Sequence, residues 1–313
     1  MTVLLGALFC ALPCRAQTYP LKPIRVVTAE PGGGNDFVAR TIGQPIGSRL
    51  GQPWVIDNRG GAGGLIAFEI AARAPADGYT LLAYAGNVWT VPLLQPKVQY
   101  DPLRDFAPIT WAARSPNTLV VHPSLPVKSV AELIAFARAK PGQLSYGSGG
   151  TGASTHFAAE LFKSMAKVNI VRVTYRGNGP ALTDLVAGNI QVMFSPTGAA
   201  TPHVKSGRLR AIAVTSPEPS PLAPGLPTIA SAGLPGYESI QVYGIYAPAK
   251  TSDAIVRRLN EAIVAVLAMP EVRERFMNTG VEAVGSTPAE LGAVMRSDIA
   301  RLRKLVKEAN IHE

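Results

Sequence analysis

Cysteine is nearly absent from this chain. Its 313 residues hold two, Cys10 and Cys14, both within the first sixteen. That segment reads as a leader, as argued below, so the mature chain would carry neither a disulfide, a Cys-ligated zinc nor a thiol nucleophile. Stability must then come from core packing. Charge is also scarce, at 16% of residues against 47% apolar. Those values describe a soluble globular protein with a sizeable core. The 30 Lys and Arg residues are spread along the chain, with no run of five or six and no interleaved aromatics. This argues against nucleic-acid binding. The formal net charge of +9 fits either plain solubility or a diffuse field that speeds capture of a small anion. Beyond residue 15 no stretch is apolar enough to span a bilayer. The length suits two domains of ordinary size.

At the N-terminus, residues 3–13 read VLLGALFCALP, an apolar run of signal-peptide length. A cut after Ala16 places Cys14 and Ala16, both small, at the minus-three and minus-one positions. Residues 1–16 therefore read as a secretory signal peptide, which implies export to the periplasm. The run lacks the usual basic lead-in. A lipoprotein reading is disfavoured by Phe9 before Cys10 and Pro13 before Cys14, where small residues belong.

Strand and helix signals then alternate. Strand 24–28 (IRVVT) meets the glycine loop 31–36 (PGGGND), and a helix follows over 37–50. Strand 54–58 meets Gly60-Gly61-Ala62-Gly63-Gly64, followed by helix 65–74 and strand 79–84. Repeated units of this length imply parallel sheets covered on both faces. A Pro-rich passage over 91–108 reads as irregular. Strand 118–122, helix 130–140, strand 144–146, a glycine loop from Gly147, helix 153–167, strand 171–175, helix 181–187 and strands 190–194 and 211–215 come next. Residues 216–236 read as a surface connection. Strand 239–247 and helices 253–268, 271–279 and 288–310 close the chain. The last carries Leu291, Met295, Ile299, Leu302 and Leu305 as one apolar stripe.

Two glycine loops, 31–36 and 147–155, each stand between a strand and a helix. Helix starts expose unbonded backbone N–H groups and the positive dipole end, and glycine lets a ligand approach them closely. Together they point to a small-anion site. Neither matches GxGxxG at dinucleotide spacing or a P-loop, so no nucleotide cofactor is expected. Asn178-Gly179-Pro180 and Asn87 open further helices and read first as turns. Asp36 suits either ligand orientation or helix capping, capping being the simpler role. His156 and Glu160 are spaced as a metal pair. With no third ligand implied, they read as a solvated helix face. Ser148 lies in G-S-G, not in a nucleophile elbow.

In order along the chain, Tyr19-Pro-Leu-Lys-Pro-Ile-Arg25, the PGGGND loop with Ala39-Arg40, residues 57–64 (DNRGGAGG), residues 76–82 (ADGYTLL), Tyr146-Gly-Ser-Gly-Gly150 with His156, Tyr175-Arg-Gly177 with Asp184-Leu185 and Gly188, Leu226-Pro-Thr228 and Tyr246-Ala-Pro248 resemble the signatures of the Bug family. These are the TctC-like substrate-binding proteins of tripartite tricarboxylate transporters. The resemblance implies an α/β, type II-like periplasmic binding protein of two domains. Each would be a mostly parallel sheet flanked by helices, with a ligand cleft between them. Domain 1 would comprise residues 19–121 and 246–313, and domain 2 residues 122–243. It implies capture of a small organic carboxylate, no catalysis, no cofactor or metal, membrane transporter subunits as partners, and a monomer. Carried over by position, the ligand residues are Pro31, Gly32, Gly33, Gly34, Asn35 and Asp36 on one domain. On the other they are Ser148, Gly149, Gly150, Thr151, Thr155 and Asn178, and Asn87 joins them. Glu30 stands where the family often has an aromatic or a proline, Val91 where an asparagine often precedes proline, and Ser195 where an acid is common. A carboxylate at Glu30 would disfavour a doubly anionic ligand. Two other readings share the sequence: a periplasmic ligand sensor with the same site, and an exported α/β hydrolase using Ser148.

Overall fold

The computed structural model describes residues 19–95 and 97–311. The expected signal peptide lies outside them. The first three strands are β1 (Ile24–Thr28), β2 (Trp54–Asn58) and β3 (Thr80–Ala85), all parallel in the order β2-β1-β3. Helices α1 (Gly34–Leu50) and α2 (Leu65–Ala72) connect them. A second parallel trio is β5 (Ser145–Ser148), β6 (Val171–Thr174) and β7 (Val192–Pro196), in the order β6-β5-β7. Helices α5 (Ser154–Ala166) and α6 (Asn178–Val186) supply its crossovers. The strand–glycine–helix units read from the sequence thus fold as expected.

The α/β fold class holds, and antiparallel strands join the two parallel trios to make the sheet mixed. The 16-residue strand β4 (Phe106–Val121) pairs antiparallel with β9 (Ile240–Pro248) along its first part, Phe106 to Pro116. From Asn117 to Val121 it pairs with β7 instead, and with β8 (Arg210–Val214) on its other edge. β9 in turn pairs with β3, and a short β10 (Glu282–Ala283) with β4.

The Pro-rich passage is more regular than its composition suggests. Helix α3 (Asn87–Leu94) holds Pro92, and β4 holds Pro108 and Pro116. Pro108 sits at a register shift, and Pro116 ends the pairing with β9. A strand tolerates the missing N–H at such places. A further helix, α7 (Thr197–Lys205), was not foreseen, because Gly198 and Pro202 mask its pattern. Residues 216–236 form a connection tethered by the bridge from Val214 to Thr228.

Side chains alternate across the strands and fill a core on each face. In β3, Leu81 and Ala83 face one cluster with α1, and with α8 (Asp253–Leu267) and α9 (Pro270–Met277). Leu82 and Tyr84 face the other, with α2, α3 and α10 (Pro288–Glu308). The stripe Leu291–Met295–Ile299–Leu302–Leu305 lies wholly in that second cluster. In β4, Leu119 and Val121 face α5 and α4 (Val130–Ala139), whereas Val120 faces α6. Among the described residues no helix is long and apolar enough to cross a membrane.

Candidate functional site

A cavity of about 300 Å³ opens where the two strand trios approach each other. Five of its lining residues stand at helix starts. Gly34, Asn87 and Asn178 are the first residues of α1, α3 and α6; Ser154 is the first of α5; Pro196 is the N-cap of α7. None of these five helices has a side chain capping its first turn. Helices α4, α8 and α10, which lie away from the cavity, are capped by Ser129, Ser252 and Thr287. The cavity therefore gathers helix ends whose first-turn N–H groups take no side-chain capping bond, so their positive dipole ends face it uncapped. Such ends favour an anion.

The rest of the wall comes from β4 and β9: Ser115, Asn117, Gln241 and Tyr243. No charged side chain lines the cavity. Asn117 is 2% exposed, and its Nδ2 has no protein acceptor. An unmet buried donor costs about 1–3 kcal/mol, so a ligand oxygen there would be gained cheaply. A Cβ at Gly34 would stand 2.7 Å from the Tyr243 hydroxyl, so glycine is what lets the phenol reach the start of α1. Burial pushes the Tyr243 phenol up to about 12, so it remains a donor at neutral pH.

The first glycine loop is held open by a buried acid beneath it. Asp36 accepts from Gly32 N (2.9 Å), Arg40 Nε (2.9 Å) and Asn58 Nδ2 (2.8 Å). Burial would raise its pKa, but the bonds from Arg40, Asn58 and Gly32 outweigh burial and hold it below the usual carboxylate range. It neither caps α1 nor faces the cavity. Asn35 Oδ1 accepts from Ala85 N (2.8 Å), pinning the start of α1 to the end of β3. Glu30 is exposed and accepts from Gly61 N (2.7 Å), tying the first loop to the glycine run 60–64. It does not line the cavity, and its carboxylate is engaged by the Gly61 backbone.

The glycine loop 147–155 is braced in the same way. The Thr155 hydroxyl accepts from Gly149 N (3.2 Å) and donates to Asn178 Oδ1 (3.0 Å). A Cβ at Gly149 would meet that Oδ1 at 2.8 Å. Ser148 is fully buried, donates to Gly149 O and accepts from Arg172 Nε (3.1 Å). Its hydroxyl is thus engaged with an arginine and a carbonyl, which is not the setting of a hydrolase nucleophile. His156 and Glu160 are buried rather than solvated, which corrects that reading. Burial, with Arg172 nearby, lowers the His156 pKa to about 4, and its Nδ1 accepts from Gly152 N (3.3 Å). Glu160 accepts from Tyr146 (2.5 Å) and Lys163 (2.8 Å).

Of the residues singled out from the sequence, Gly34, Asn35, Asn87 and Asn178 line the cavity. Gly150 and Thr151 line a second cavity that adjoins it through Asn87 and Ala153. Pro31, Gly32, Gly33, Asp36, Ser148, Gly149 and Thr155 line neither and shape the loops around them. Ser115, Asn117, Ser154, Pro196, Gln241 and Tyr243 were not anticipated. Ser154 could have been, as the first residue of a helix after a glycine loop.

The model of the tripartite tricarboxylate transporter family receptor, TctC, matches residues 38–311. The chain belongs to that family. It is 34% identical over 304 residues to Protein BugT of Bordetella pertussis, covering 95% of this chain and 92% of that protein. A structure from R. palustris with adipate superposes at a TM-score of 0.79, with 37% identity, covering 94% of this chain and 99% of that one. MatC from Rhodopseudomonas palustris with bound malate superposes at 0.75, with 30% identity over 92% of this chain and 100% of that one. Members of the family are solute receptors rather than enzymes.

Proposed function

We propose that this protein is an extracytoplasmic receptor that captures a small organic carboxylate in the cavity and presents it to the membrane subunits of a tripartite transporter. The observation that carries this reading is the convergence of five uncapped helix starts on a cavity with no charged side chain. Peptide dipoles stabilise an anion there without the side-chain reorganisation an arginine would bring. Asn117 Nδ2, the Tyr243 hydroxyl and the first-turn N–H groups would hold the carboxylate oxygens. The adipate and malate in the structural relatives support the ligand class.

The two trios would act as two domains. β4 changes partner between Pro116 and Asn117, and β9 begins at Ile240. These two crossings would serve as the hinge about which the domains close on the ligand. Domain 1 would then hold residues 19–116 and 240–311, and domain 2 residues 117–239, each crossing a few residues earlier in the chain than the boundary read from the sequence. Secretion through the leader would place the monomer in the periplasm.

Calorimetric titration of the mature protein with a panel of mono- and dicarboxylates tests the reading. At a hundred times its dissociation constant, a true ligand adds about 2.7 kcal/mol of stability. Asn117→Ala should weaken that ligand by about tenfold while leaving the fold intact, in line with the ~1.4 kcal/mol that one buried donor supplies. If no carboxylate binds, the reading fails. If one binds equally to Asn117→Ala, Asn117 is not its contact.

A further inference from the structure

The second cavity, about 170 Å³, shares Asn87 and Ala153 with the first. One of its walls is a single face of α3. Asn87, Thr90, Val91, Leu94 and Gln95 all line it, at the spacing i, i+3, i+4, i+7, i+8 that places side chains along one helical stripe. Backbone of the glycine loops forms the opposite walls, at Gly63 and at 150–153. Val91 and Leu94 reach across to them. Val91 Cγ2 lies 3.7 Å from where a Cβ would stand at Gly63, and Leu94 Cδ1 only 2.8 Å from one at Gly152. A third space beside Asn87, about 40 Å³, has little more than the volume of one water.

The face of α3 is graded along its length. At its start Asn87 borders the anion cavity. Val91 and Leu94 make its middle apolar, and the C-terminal end of the helix follows, where the dipole is negative. From residue 87 to residue 95 the rise is about 12 Å. No charged side chain lines this second cavity. A second carboxylate placed there would lie against an apolar wall and the unfavourable end of a helix, and the guanidinium of Arg172 behind Thr151 is already engaged by Ser148, Gly149 and Thr151.

We propose that the two cavities form one elongated site. The ligand would be a monocarboxylate with an uncharged, largely apolar tail, and Val91 and Leu94 would be the residues that select against a dicarboxylate. The proposal rests on the carboxylate reading above. The head group sits among the helix starts, and the tail runs along α3 towards Gln95.

Titration with acetate, hexanoate and adipate separates the two claims. Hexanoate and adipate match in length and differ in the distal group. The expected result is hexanoate binding at least tenfold tighter than both acetate and adipate. In Leu94→Lys, which sets an ammonium beside the tail, the adipate-to-hexanoate affinity ratio should rise by tenfold or more. Leu94→Gln should reduce the hexanoate preference without creating a gain for adipate. Adipate binding as tightly as hexanoate to the unsubstituted protein would overturn the proposal and leave the carboxylate reading standing. So would an acetate affinity equal to that of hexanoate. If none of the three binds, the carboxylate reading itself falls. The comparison on the unsubstituted protein decides the matter even if the variants fold poorly.

Discussion

Asp36 offers a sharp test of how the first glycine loop is held. Asp36→Asn keeps the shape and removes the charge. The carboxylate receives bonds from three donor groups, Gly32 N, Arg40 Nε and Asn58 Nδ2, while the residue is 4% exposed. An amide keeps one acceptor and turns an NH₂ towards donors. The Arg40 side chain is 49% exposed, so its ion pair is screened and contributes about 0.5 kcal/mol. The buried bonds from Gly32 and Asn58 matter more, and charge-assisted bonds of this kind contribute about 1.5–3 kcal/mol each. Allowing for relaxation, the substitution should cost about 3 kcal/mol at pH 7. At roughly 2 °C per kcal/mol for a chain of this size, that is about 6 °C in Tm. The folded pKa lies below the unfolded one, so the contribution is complete above the unfolded value and fades as pH falls through the folded one. Urea unfolding of both proteins should therefore show the full gap at pH 7 and pH 5, and a shrinking one below about pH 4. A gap under about 0.5 kcal/mol at pH 7, the size of an ordinary surface change, would refute the argument. So would a gap unchanged at pH 3. Ligand affinity should fall with it, because the loop leading into α1 loses its anchor.

Two further outcomes follow from the same physics. Gly64 has φ +106°, and a Cβ there would meet Phe68 Cζ at 2.4 Å and the Tyr84 hydroxyl at 2.7 Å. Gly64→Ala should thus cost at least about 3 kcal/mol, combining backbone strain with overpacking; a Tm within 2 °C of the parent would contradict the packing described. His156, with a pKa near 4 in the fold against about 6.5 unfolded, contributes stability that is complete above about pH 6.5 and lost as pH falls to about 4. His156→Gln should show a shallower stability loss across that window, and an NMR titration placing the His156 midpoint above 6 would remove the basis for it.

The glycine loops were legible because each is punctuation between two local patterns. A β-rich run such as IRVVT, a cluster of glycines and an apolar helical period are all nearest-neighbour facts. The composition and the apolar leader likewise set the class of protein before any fold is known. α3 and the first part of β4, before the strand read from residue 118, were not legible, since Pro92, Pro108 and Pro116 argue locally against regular structure. Tertiary packing overrides that. Val88 and Trp89 bury one side of α3 in the core, and the missing N–H groups in β4 fall where its pairing shifts or changes partner.

Residue roles divide along the same line. That Gly34 and Asn35 stand in a glycine loop at a helix start could be read locally, as could the turns at Asn87 and Asn178. Which neighbours they meet could not. Glu30 and Asp36 stand beside Gly34 in sequence, yet their carboxylates turn to Gly61 and Asn58, because backbone and amide donors from the adjoining β2–α2 segment come within reach. Asn117 and Tyr243 carry no local signature. They come to line the cavity because two strands more than a hundred residues apart pair side by side and run past the start of α1. Sequence alone determined that helix ends rich in glycine would be available to an anion. Only the tertiary structure decided that five of them point at one uncharged cavity, since the direction of a helix dipole becomes a property of a site only once the sheets have fixed where each helix begins.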